Sequence, residues 1–134
     1  MFLELRQYRT LPGQRENWVA YMEEVIIPFQ VSKGMVIVGS FIGEQERPTA
    51  THDGNQYVWI RRFENEEDRE RLYEAVYQSD EWLNNIGPKI PEMLDREKII
   101  VTRMEPTAVS VIHLSLIHIS EPTRPRLISY SLVC

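Results

Sequence analysis

Apolar and polar residues alternate from Phe2 to Arg9, the two-residue period of a half-buried strand, and Leu11-Pro12-Gly13 then punctuates the chain. From Gln14 to about Phe29 the period lengthens. Trp18, Tyr21, Met22, Val25, Ile26 and Phe29 recur at steps of three and four while Arg15, Glu16, Glu23 and Glu24 fill other positions, which predicts an amphipathic helix. Pro28 lacks a backbone donor, so this helix is expected to kink or stop there, with Lys33-Gly34 as the turn. Met35 to Ile42 and Gln56 to Phe63 favour β-structure and predict a hairpin, separated by a polar loop containing Pro48, Asp53 and Gly54. Asn65 is placed to cap a second helix with an acidic first turn, Glu66, Glu67 and Asp68, and a buried side of Leu72, Tyr73, Ala75 and Val76. Ser79 starts a shorter helical piece with Trp82, Leu83 and Ile86, ended by Gly87-Pro88, and Lys98 to Met104 forms the last strand.

Strand, helix, strand, strand, helix, strand is the α+β order of a ferredoxin-like fold, a four-stranded antiparallel sheet with its helices on one face. Parity then sorts the strand residues between the two faces. Leu3 and Leu5 oppose Phe2, Glu4, Arg6 and Tyr8, and Val58 and Ile60 oppose Tyr57, Trp59, Arg61 and Phe63. The aliphatic set is assigned to the helices. The other face would then show Tyr57, Trp59 and Phe63, joined by Met35, Ile37 and Phe41, to water, more apolar area than a monomer leaves wet. A homodimer packed sheet against sheet is the expectation.

At 134 residues, with ordinary apolar and charged fractions, the chain has room for one core. No apolar run is long enough to span a bilayer and no secretory pattern opens the chain, so a soluble, cytoplasmic protein without membrane insertion is expected. A formal charge of -5 and the lack of a long basic stretch argue against nucleic acid as a partner. Arg61-Arg62 and the separated Arg69 and Arg71 sit among acidic residues and carry no weight as a cluster. Cys134 stands alone with no Cys-x-x-Cys, so no metal site and no cofactor are expected.

From about Val111 the chain changes character. Leu114 to Arg124 resembles the frame translation of a transposase adapter used in sequencing libraries, and Ile128-Ser129-Tyr130 resembles the start of the sequence that follows it. Residues 1–110 are therefore read as the domain and 111–134 as a non-native tail, set aside from fold reasoning. His113, His118 and Cys134 fall in that tail. Only His52 remains as a candidate histidine, and without Arg124, Arg126 and Glu121 the remainder is one unit more negative.

The domain resembles the NIPSNAP family of dimeric α+β barrels over nearly all its length. The likeness rests on Glu4-Leu5-Arg6-Gln7-Tyr8, Pro12-Gly13, Gly34 with Val38-Gly39-Ser40-Phe41, Val58-Trp59 and Trp82, taken as an ordered set. The long loop Glu44 to Asn55 departs from the pattern. The resemblance implies the fold and the dimer but no reaction. Related barrels include cofactor-independent monooxygenases and small isomerases, and that is an analogy of fold alone.

No catalytic group identifies itself by spacing. Pairing the first and third strands so that Glu4 meets Arg61, Arg6 meets Trp59 and Tyr8 meets Tyr57 puts all six on one face. That set could hold a small anionic or carbonyl-bearing ligand through an ion pair, a cation over an indole and a phenol donor. The plainer reading is that it satisfies itself at a subunit interface, as buried ionic networks often do. His52, in the loop Thr49-Ala50-Thr51-His52-Asp53-Gly54, is the remaining candidate, a general base only if the loop closes over a cleft and otherwise a solvated side chain. Trp18, Tyr21, Phe29, Tyr73 and Tyr77 are placed between helices and sheet, as pocket lining or as core. The candidate functions are therefore a small-molecule binder, an enzyme like those of the related barrels, and a non-catalytic interaction module.

Overall fold

In a computed structural model that describes residues 1–44 and 54–112, four antiparallel strands stand in the order β2-β3-β1-β4. These are β1 (Phe2–Arg9), β2 (Val36–Ile42), β3 (Gln56–Phe63) and β4 (Ile100–Met104). This is the ferredoxin-like arrangement. Gly13, at φ 78°, makes the turn after β1 in a backbone region that side chains disfavour. Asn65 caps the later helix α3 (Glu66–Tyr77) as expected, its Oδ1 accepting from the Asp68 amide at 2.8 Å.

The first helix does not stop at Pro28. It runs as α1 (Arg15–Tyr21), passes through a π-helical turn, Met22–Ile26, and continues as α2 (Ile27–Ser32). The Ile27 amide reaches back five residues to the Met22 carbonyl. Widening the turn just before the proline relieves the clash its ring would make with the preceding turn, so the helix survives. A second π turn, Trp82–Ile86, has the same construction, with the Gly87 amide donating to the Trp82 carbonyl immediately before Pro88. Short 3-10 turns, Gly87–Glu92 and Arg96–Lys98, lead into β4, which is shorter than the expected Lys98 to Met104.

The parity of β1 and β3 is as read, but the assignment of faces is reversed. Tyr57, Trp59, Arg61 and Phe63 are all buried beneath the helices, with Trp59 in one cluster with Trp18, Met22 and Ile26. Phe2, Met35 and Phe63 pack with Leu72 and Val76 in a second cluster. The reason is on the helices, which present Trp18, Tyr73, Tyr77 and Gln30, groups too large and too polar to be matched by an aliphatic surface. The open face carries Leu3, Leu5, Val58 and Ile60. Ile37 and Phe41 were expected to share a face, yet the β-bulge between Ile37 and Gly39 parts them. Ile37 packs towards the helices, and Phe41, paired with Val58, is 53% exposed on the open side.

Candidate functional site

The register of β1 against β3 is the expected one, with Glu4 opposite Arg61, Arg6 opposite Trp59 and Tyr8 opposite Tyr57. It builds a polar network inside the subunit, under the helices. Arg61, with no exposed side-chain surface, is its centre. One end of its guanidinium donates to Glu4 at 2.5 Å and to the Tyr73 hydroxyl at 2.7 Å. The other end donates to Gln30 Oε1 at 2.9 Å and to the Tyr77 hydroxyl at 2.8 Å. The plane lies 4.7 Å from the Trp59 ring, so aromatic faces cover what hydrogen bonds do not. Buried ions are tolerated only with this degree of pairing.

Glu4 is shared among three arginines. Arg61 holds it most closely, Arg69 Nε at 3.2 Å is next, and Arg6 stands at 3.6 Å. Both carboxylate oxygens also accept from Tyr73. Burial pushes the Glu4 pKa up, but the Arg61 charge with the Tyr73 and Arg61 hydrogen bonds outweighs it, and the group sits below the usual carboxylate range. It is ionised at neutral pH. Tyr73 is pushed up to about 12, chiefly by burial, and burial likewise raises Tyr8, so both phenols stay protonated.

Arg6 links this network to the cavity, its Nη1 donating to the Tyr73 hydroxyl at 3.4 Å. Its Nε donates to the Tyr8 hydroxyl at 2.8 Å, and the two side chains open onto a cavity of about 320 Å³ between sheet and helices. That volume is at the small end of ligand sites. Trp18, Met22 and Ile26 form one wall; Tyr73, Tyr77 and Trp82 form another. Both π turns contribute, the first through Met22 and Ile26 and the second through Trp82. Gly87 closes against Trp82, where a Cβ would stand 3.0 Å from the Trp82 carbonyl oxygen and 3.2 Å from its indole nitrogen.

Of the candidates named from the sequence, Arg6 and Tyr8 line the cavity. Glu4 and Arg61 stand behind them as their support. Tyr57, bonded to the Ser40 hydroxyl at 2.5 Å, and Trp59 belong to the core around Trp18. His52 lies outside the described residues. Trp18, Tyr73 and Tyr77 do line the cavity, whereas Tyr21, which donates to the Ile86 carbonyl, and Phe29 do not. The sequence reading missed Gln30 and Arg69. Among the described residues no cluster of side chains could hold a metal ion, and no helix is long and apolar enough to cross a membrane.

A four-stranded antiparallel sheet with a helix-covered pocket of this kind defines a small α+β domain, and a NIPSNAP family model matches residues 3–109. The chain belongs to the NIPSNAP family. The crystal structure of Atu4242 from Agrobacterium tumefaciens, a NIPSNAP family protein with unknown function, is similar at 26% identity and a TM-score of 0.71. The match covers 83% of this chain and 98% of that one. An uncharacterised NIPSNAP domain protein from Burkholderia xenovorans shares the fold at 16% identity and a TM-score of 0.67, covering 82% and 98%. Atu5224 from A. tumefaciens does so at 18% identity and a TM-score of 0.68, covering 84% and 98%. No curated protein matches the sequence.

Proposed function

We propose that this chain is a small-molecule-binding domain whose ligand occupies the cavity between sheet and helices. The observation that carries this reading is the opening of Arg6 and Tyr8 into a space that side chains do not fill. A non-catalytic module would have a packed interior there. The test is a thermal-shift screen of small metabolites on the full chain, repeated on Arg6→Ala. Hits whose affinity is the same in both proteins would move the site elsewhere.

The domain acts as a homodimer, for a reason other than the aromatic one expected from the sequence. Leu5, Val58 and Ile60 are only half-buried on the open face, and Phe41 and Ile100 at its margins are 53% and 56% exposed. A contiguous aliphatic sheet surface of this kind supports packing against a second copy. Sedimentation at micromolar concentration tests it; a single subunit there would refute the dimer and leave the cavity reading intact.

A further inference from the structure

The polar part of the cavity is made of donors, and hydrogen-bond geometry dictates where their protons go. Tyr77 receives Arg61 Nη1 at 2.8 Å and Gln30 Nε2 at 3.2 Å, which occupy both of its lone pairs. The Gln30 orientation is fixed by Arg61, because the opposite one would set its amide nitrogen against a guanidinium N–H. The Tyr77 hydroxyl proton must therefore leave in the remaining direction, and no acceptor for it stands among the described residues. Tyr8 is alike in kind. Its oxygen accepts from Arg6 Nε, so its own proton is free to be donated. Arg6 Nη2 also has no hydrogen-bond acceptor among the described residues. The buried indole N–H of Trp18, another residue that lines the cavity, is a fourth donor without a partner among the described residues.

Tyr73 differs, and the difference is informative. It too lines the cavity, but its proton is committed to Glu4. No carboxylate lines the cavity among the described residues, since Glu4 is turned inward to Arg61 and Arg69. Arg96, exposed at the mouth, adds a second cation. Most of the remaining wall is apolar.

We propose that the ligand is a monoanion of mostly apolar body, a small aromatic or branched carboxylic acid, whose carboxylate is received by Arg6 Nη2 and the hydroxyls of Tyr8 and Tyr77. Three such donors in one cavity, with no carboxylate among its lining side chains, select an oxyanion and reject a cation. Arg96 stands in solvent at the mouth, so inside the cavity Arg6 alone, partly offset by Glu4, matches one negative charge, which favours a carboxylate over a phosphate dianion. The apolar walls of Met22, Ile26, Ile90 and Leu94 take the hydrocarbon part.

This inference rests on the cavity being a ligand site, and the test separates the two claims. Phenylacetate, phenylacetamide, phenethylamine and phenyl phosphate are titrated into the full chain, with quenching of tryptophan fluorescence as the readout. The acid is expected to bind about tenfold more tightly than its amide, the value of a charge-assisted hydrogen bond set. The amine is expected not to bind. Tyr77→Phe and Tyr8→Phe should each weaken the acid severalfold and the amide by less, because the charged acceptor gains more from each hydroxyl, with circular dichroism confirming that both variants fold. Equal binding of acid and amide, tighter binding of the phosphate, or an indifferent Tyr77→Phe would overturn the carboxylate assignment while leaving a ligand site. Binding of none of the four would overturn both.

Discussion

The two faces of the sheet solve opposite problems with adjacent residues. On β3, Arg61 is fully buried under the helices while Ile60, its neighbour, is half-exposed on the other side. A rule that sorts residues by polarity would exchange them. The helix face can take the arginine because α3 and α2 bring Tyr73, Tyr77 and Gln30 to it, and β1 brings Glu4. What decides burial here is whether the two ends of the guanidinium find acceptors, not whether the group is polar; among the described residues only its Nε is left without one. Among the described residues the aliphatic face has no helix over it, and apolar area without a cover is what a second protein surface uses.

The contrast can be broken most forcefully at Arg61. Arg61→Met should cost about 3–5 kcal/mol in urea unfolding, because Glu4 stays buried with its closest partner gone. A loss within about 1 kcal/mol would mean that the network is ornamental to stability. The pH dependence of stability comes next. The folded Glu4 pKa lies below the unfolded one, so its contribution is complete above the ordinary value of 4.5 and is lost as pH falls through the lower folded value. Glu4→Gln should flatten that acid limb; an unchanged limb would assign it to other carboxylates. Gly87→Ala should cost about 1 kcal/mol, from crowding against Trp82, and shift the Trp82 emission as the cavity wall moves. The smallest effect is expected at Ile60→Thr, at dilutions where the protein sediments as a single subunit. There the change should stay within about 0.5 kcal/mol, as for an ordinary surface site. A cost like that of Arg61→Met would show that the open face is structurally buried in the lone subunit.

The strands, their order and even the β1–β3 register were legible, because each follows from local periodicity and from topology. Which face meets the helices was not. Parity shows which residues stand together but not which side is covered, and the deciding groups lie far off in sequence, Tyr73 and Tyr77 on α3 and Gln30 on α2. The i, i+4 pair of tyrosines was the available signal, since two phenols on one helix line seek polar partners. The Val38 bulge was hidden for a similar reason: a single extra residue reverses parity without marking composition. Arg69 looked like one more charge on a solvated helix, and only the fold brings it to Glu4.

The π turn in the first helix sets a phase. Trp18, Met22, Ile26 and Gln30 are all buried, each four residues from the last. On a regular α-helix that spacing drifts by about 40° per step, which would carry Gln30 round the cylinder and away from Arg61. The wide turn takes part of that drift back. The wide turn thus absorbs one extra residue without turning the helix out of phase: deleting Glu23 or Glu24 would leave about eleven steps from Trp18 to Gln30, close to three regular turns, so the amide would keep its aim at Tyr77 on an unbroken α-helix.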